Sequence, residues 1–133
     1  MVVAVGIDLV EVARVERMLG RGADRLARRV LTDREWAYCA GKASVAAHVA
    51  VRLAAKEAAF KALAGTEAAR GIGWREIEVC HDGHRRPVLA FHGRAATRAA
   101  ELGVGRVHVS LTHERAVAAA VVVLEREAPV GYS

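Results

Sequence analysis

Two acids stand where an acid has no ordinary reason to be. Asp8 follows the apolar run Val2-Val3-Ala4-Val5-Gly6-Ile7 and precedes Leu9-Val10. Glu57 lies in an alanine-rich stretch with a helical pattern. Projected at about 100° per residue, it falls roughly 40° from Leu53 and roughly 60° from Phe60. It therefore sits inside an apolar stripe of Ala46, Val49, Ala50, Leu53, Phe60 and Ala64. An isolated charge in such surroundings is costly unless something compensates it. Two carboxylates, one at a strand end and one in mid-helix, suit a hard divalent cation such as Mg²⁺, which takes one or two protein carboxylates and completes its octahedron with waters and substrate phosphates. Gly6, two residues before Asp8 on the same strand face, leaves space beside it. Taken singly, either acid is more simply read as the partner of a nearby arginine or lysine. Together with the cations around them, they point to a site.

Lys61 is one helical turn after Glu57, so the two can address one ligand. An ordinary Glu-to-Lys pair on a wet face has the same spacing, but an acid inside the stripe argues for a lysine that snorkels from the stripe's edge towards a phosphate. Lys56 points elsewhere on this projection, and Arg52 lies one turn before it. Further on, His108-Val109-Ser110-Leu111-Thr112 alternates, placing His108, Ser110 and Thr112 on one strand face. That row suits phosphate or ribose, and suits equally the wet face of an antiparallel sheet. His113 opens the following turn as a second histidine candidate.

The elements that must hold these residues fit in one domain, since the chain has 133 residues, 53% hydrophobic and 26% charged, with two prolines. Such a composition excludes a disordered chain, a collagen-like repeat and a coiled coil. A strand is expected over Val2–Ile7, then a helix from about Glu11 to Leu19 and a basic segment through Val30. Thr32-Asp33-Arg34-Glu35 has capping-box spacing and opens a short helix. Ser44 caps the longest helix, which runs through Ala64 to Gly65, followed by a loop to Gly73. Trp74–Cys80 and Pro87–His92 read as paired strands, Arg94–Leu102 as a helix, and Val107–Thr112 and Ala116–Leu124 as two further strands. The fold class is α+β: a single domain over residues 1–125, with a largely antiparallel sheet packed on a long helix, and a tail over residues 126–133.

The longest apolar run, Ala116–Leu124, is too short for a bilayer, which needs about 20 residues. The N-terminus lacks the basic start of a signal peptide. Cys39 and Cys80 form no disulfide framework and have no metal-ligand spacing. The chain is expected to be cytoplasmic, with no membrane partner. Its net charge of +5 favours an anionic partner. The basic side chains are 17 arginines and three lysines, and two of the lysines share the long helix. Arg14, Arg17, Arg21, Arg25 and Arg28 recur at three- and four-residue steps, as a solvated face or as a docking stripe. A small basic nucleic-acid-binding module is the competing class, favoured by the charge. It lacks a basic-aromatic strand motif that stacks bases, and it leaves Asp8 and Glu57 unexplained.

With Gly6-Ile7-Asp8, Lys56-Glu57-Ala58-Ala59-Phe60-Lys61 and His108-Val109-Ser110-Leu111-Thr112-His113 in order, the chain resembles the holo-acyl-carrier-protein synthases, the small single-domain 4′-phosphopantetheinyl transferases. Leu31-Thr32 with Glu35, and Trp74 with Ile77-Glu78-Val79, extend the resemblance. It implies transfer of phosphopantetheine from coenzyme A to a serine of apo acyl carrier protein, leaving adenosine 3′,5′-bisphosphate. It implies that Asp8 and Glu57 hold Mg²⁺, that Lys61 contacts the pyrophosphate, and that Arg52, His108, Ser110 and Thr112 contact coenzyme A. Glu57 or His113 takes the serine proton. Arg14 and Arg21 become the carrier-protein contacts. The resemblance further implies a homotrimer with sites between subunits, the His108 strand facing its neighbour's Asp8 and Glu57, and no nucleic-acid partner. The turn Gly83-His84-Arg85-Arg86-Pro87 is longer than the family's Gly-x-Pro turn, and Gly41–Val51, which includes Lys42, aligns poorly.

Overall fold

Alternation along the last strand sets the layering. In β5 (Val117–Arg126), Ala118, Ala120, Val122 and Leu124 are buried while the residues between them are half-buried. That is the period-two signature of a strand with one covered face. β5 is the centre of an antiparallel three-stranded sheet, flanked by β1 (Val2–Glu11) and β4 (Val104–His113). The covered face packs on α4 (Val45–Leu63), the longest helix. β2 (Ile77–His81) and β3 (Pro87–Phe91) form a second antiparallel pair. Around these lie α1 (Val12–Gly20), α2 (Ala23–Val30), α3 (Asp33–Ala40), a 3₁₀ turn at Trp74–Glu76 and α5 (Gly93–Glu101). This computed structural model describes residues 1–63 and 71–127. The expected α+β domain, antiparallel sheet on long helix, is the one observed.

Local signals account for most element ends. α3 opens with a full capping box: Glu35 N–H donates to Thr32 Oγ1 at 3.2 Å and Thr32 N–H donates to Glu35 Oε1 at 2.9 Å. The first turn of α4 closes on the Ser44 carbonyl, which accepts from His48 N–H at 3.3 Å. α5 stops before Gly103, whose φ of +73° is the left-handed geometry of a helix end.

Several expectations are corrected. β1 does not end at Asp8 but runs to Glu11, because its pairing with β5 continues from Asp8↔Ala120 to Glu11↔Val117. Trp74–Glu76 is a 3₁₀ turn rather than the start of a strand, held by the Glu76 carboxylate accepting from Gly73 N–H at 2.9 Å. The apolar stripe on α4 is not a stripe. The helix is buried round most of its circumference, including Ala47, Val51, Ala54, Ala55, Lys56 and Ala58. Phe60 lies outside the core, 37% exposed. Neighbours pack on several sides of α4 because it carries alanines all round, and a stripe projection cannot register that. The helix end expected at Ala64 and Gly65 lies outside the described residues. The strand β5 extends one residue past Glu125, and the tail beyond residue 127 also lies outside them.

A second polar cluster sits where the strand pair meets α3. Glu78, 6% exposed, accepts from Thr32 Oγ1, from His92 Nε2 at 3.2 Å and from Cys80 Sγ at 3.6 Å. Burial alone would raise its carboxyl, but these hydrogen bonds hold it below the usual value near 4.5. A depressed carboxyl stabilises the fold above the unfolded value, and the stabilisation is lost as pH falls through the folded one. In calorimetry the Tm difference between wild type and Glu78→Gln should therefore be largest near neutrality and shrink below pH 4.5.

Candidate active site

The site is made where β1 crosses α4 with no side chain between them. A Cβ placed on Gly6 would lie 1.8 Å from the Ala58 carbonyl oxygen, so only glycine permits this approach. Two residues on, Asp8 faces the same helix, since its cross-strand partner Ala120 is buried against α4. One turn beyond Glu57, Lys61 donates to Asp8 Oδ1 at 2.8 Å and to the Ile7 carbonyl at 3.2 Å. The hydrogen bond and the negative charge of Asp8 hold the Lys61 ammonium above its usual range, so it stays cationic at neutral pH. Glu57 is half-buried, at the rim of the helix rather than inside a stripe.

Asp8 and Glu57 open into one cleft of about 460 Å³. Arg14, Arg21, Arg25 and Arg29 line it, as do Leu53 and Trp74. The expected single arginine stripe does not form, because the helix breaks between α1 and α2. Arg14, Arg21 and Arg25 face the cleft, Arg29 joins them, and Arg17 and Arg28 do not line it. Among the described residues, Asp8 Oδ2 and the Glu57 carboxylate take no protein hydrogen bond, and no group of three or more His, Cys, Asp or Glu could enclose a metal. Two hard oxygen donors beside open space fit a cation that keeps waters and substrate oxygens in its shell.

The remaining site candidates are placed elsewhere. Arg52 is about 140° round α4 from Glu57. It is buried, donates to the His48 carbonyl at 3.0 Å, and holds its guanidinium 4.4 Å from the Tyr38 ring centre. Its Nε is buried and takes no partner among the described residues. Lys42 approaches the same ring at 4.4 Å and His81 stacks on it at 4.7 Å. Burial, then the charges of Arg52 and Lys42, push the His81 imidazole down. His113 belongs to this group, 5.4 Å from His48, and His48 is about 13 Å along the helix from Glu57. His108, Ser110 and Thr112 do share an exposed face, but it is the outer one. Ser110 pairs with Val121, which pairs with Ile7, so the row is on the opposite side of the sheet from Asp8. Within one chain Asp8, Glu57, Lys61, Arg14 and Arg21 come together; Arg52, His113 and the His108 row do not.

Two features have no signal in the sequence alone. One is the cation cluster around Tyr38. The other is Lys56, which is the largest fully buried side chain and pairs with Glu35 Oε1 at 2.8 Å. Burial pulls the Lys56 ammonium below its usual range while the charge of Glu35 opposes the shift.

A basic cleft lined by two carboxylates, one of them paired with a lysine, is the equipment of an enzyme acting on phosphate-bearing substrates. Residues 4–122 match the 4′-phosphopantetheinyl transferase superfamily, and the chain belongs to that family. It is 44% identical over 126 residues to a holo-[acyl-carrier-protein] synthase of Geobacter sulfurreducens, covering 95% of this chain and 99% of that one. The holo-[acyl-carrier-protein] synthase structure from Neisseria meningitidis superposes with a TM-score of 0.82 at 29% identity, over 95% of this chain and 100% of the other. That from Bacillus anthracis, in complex with CoA (3′,5′-ADP), gives 0.75 at 34% identity, over 96% and 99%.

The Gly6 contact can be tested directly. Gly6→Ala should lower stability by about 1–3 kcal/mol in urea unfolding, through overpacking against a backbone that cannot yield. Gly83→Ala, where a Cβ meets nothing within 4 Å, should leave it unchanged.

Proposed function

We propose that this chain moves 4′-phosphopantetheine from coenzyme A to a serine hydroxyl of apo acyl carrier protein, releasing adenosine 3′,5′-bisphosphate. The observation that carries the reading is the joint placement of Asp8 and Glu57 in an arginine-lined cleft, with Lys61 paired to Asp8 at 2.8 Å beside it. Asp8 and Glu57 would hold Mg²⁺, which supplies charge neutralisation on the pyrophosphate when bound. Lys61, kept protonated by Asp8, adds a second positive charge for the departing phosphate. The serine Oγ attacks the phosphorus that bears the pantetheine arm, the bond to the bridging pyrophosphate oxygen breaks, and the hydroxyl proton leaves to a base. Glu57 is the base the geometry favours, because it borders the cleft; His113, beside His48, can serve only if a neighbouring subunit supplies it.

Arg14 and Arg21, with Arg25 and Arg29 beside them, present positive charge at the cleft mouth, where an acidic carrier protein would bring its serine. A nucleic acid would meet the two acids at the same floor, which disfavours that partner. The outer sheet face carries Val5, Ile7 and Leu9 at 58%, 64% and 67% exposure, with His108, Ser110 and Thr112 on the same face across β5. Apolar exposure on this scale marks a contact surface, and a homotrimer that covers it would bring the His108 row to a neighbour's Asp8 and Glu57. The pocket lined by Asp82, Arg86, Pro87, His108 and Ser110 would supply nucleotide contacts from that side, whereas Arg52 is buried against Tyr38 outside it. Two free thiols, Cys39 and Cys80, are consistent with a reducing, cytoplasmic setting.

Intact-mass spectrometry of an apo acyl carrier protein, incubated with this protein, coenzyme A and Mg²⁺, should show a gain of one phosphopantetheine. The gain should vanish with EDTA and with Asp8→Asn; a gain that survives both removes the metal role, and none with several carriers removes the reaction. Light scattering should give three times the chain mass of 14.2 kDa, and Ile7→Lys should give one. A wild-type monomer would overturn the trimer.

A further inference from the structure

We propose that the buried Glu35–Lys56 pair positions Glu57 and Trp74 for the reaction without touching substrate; this rests on the transferase reading above. Lys56 is 1% exposed and its ammonium donates to Glu35 Oε1 at 2.8 Å, to the Trp74 carbonyl at 3.0 Å and to the Ile77 carbonyl. An ammonium has three donors, so none remains for a phosphate. Glu35 is equally committed. Its Oε1 also accepts from Thr32 N–H at 2.9 Å, and its Oε2 accepts from Val79 N–H at 2.8 Å. This knot ties α3, α4, the 3₁₀ turn and β2 at one point.

What it ties is the wall of the site. Glu57 follows Lys56 on α4, and Trp74 is the residue whose carbonyl Lys56 grips. Glu57 and Trp74 together border the arginine cleft on one side. On the other they border a smaller, mainly apolar cleft of about 210 Å³ lined also by Phe60, Ile72, Gly73, Ile77 and Lys56, whose ammonium is held by Glu35 and the two carbonyls. The rotation of α4 that aims Glu57, and the seat of the Trp74 turn, are therefore set by one lysine. Stability alone does not require such a device, because a well-packed apolar pair of similar volume commonly stabilises a buried position as well or better. A charged pair, unlike an apolar one, demands a single geometry.

The test is the double variant Glu35→Leu/Lys56→Met, which removes both charges together, with kcat and KM measured separately and the fold followed by urea unfolding. The expected result is a folded protein whose kcat falls about a hundredfold, as a misplaced group costs, while KM for coenzyme A stays within about threefold. Full turnover in the folded variant would make the pair structural only and overturn the proposal. A KM raised tenfold or more with kcat kept would make Lys56 a ligand contact and overturn it equally. If the double variant does not fold, Glu35→Gln takes its place under the same criteria, and a chain that folds in neither form also makes the pair merely structural. Acetylation of the wild-type protein, read lysine by lysine, is the independent arm. Lys42 and Lys61 should react in the free protein, and Lys56 should stay unreactive with or without coenzyme A; a Lys56 that reacts and is shielded by coenzyme A sinks the proposal. Wild-type transfer is measured alongside. A silent wild type counts against the transferase reading, and the acetylation arm still decides whether Lys56 is open to a ligand.

Discussion

The absence of a side chain at Gly6 is the constraint on which the rest depends. It lets the β1 backbone rest against the Ala58 carbonyl, so the strand that carries Asp8 and the helix that carries Glu57 and Lys61 meet backbone to backbone. Ala118 and Ala120 of β5, both buried, extend the same close approach across the sheet. Short side chains lose little rotamer freedom on burial, so the spacing of the two acids is set by main chains rather than by long, mobile arms. A site that must hold charged groups in register is better built on such rigid elements than on loops.

α4 then serves several directions at once. Towards β1 it presents Glu57 and Lys61; towards α3 and β2 it sends Lys56 to Glu35; towards Tyr38 it sends Arg52. Each ionic side chain leaves the helix at its own angle and is answered by a different element. Eight alanines in nineteen residues make this geometry available, because they leave room for neighbours on nearly every side. The helix is held in rotation as well as in position by the hydrogen bonds at its buried lysine, which apolar packing would not impose.

Much of this was legible in the order of residues, and the reasons for the rest are physical. The capping box at Thr32 and Glu35 and the alternation of His108, Ser110 and Thr112 in β4 follow from local rules, and both are found as expected. The stripe on α4 failed because alanine is apolar without specifying a face, so periodicity overstated Phe60 and missed the burial of Lys56. Glu35 was visible as a cap, but its second task, accepting from Lys56 and Val79, depends on chain segments more than twenty residues distant. The arginine spacing in residues 14–28 suggested one helix face, yet the break before Gly22 turns the second half so that Arg29 enters and Arg28 leaves. Tertiary pairings of that kind leave no trace in periodicity.

The outer face of the three-stranded sheet has one more consequence. Val5, Ile7 and Leu9 stand in water in the isolated chain, on a strand that is also the sheet's edge. Such a surface ties folding to mass action: whatever covers it adds its binding free energy to that of the fold, so the melting temperature rises with the concentration of that partner. A newly made chain is accordingly at its most vulnerable while this face is bare, and the barrier against adhesion to other nascent chains is how soon it is covered.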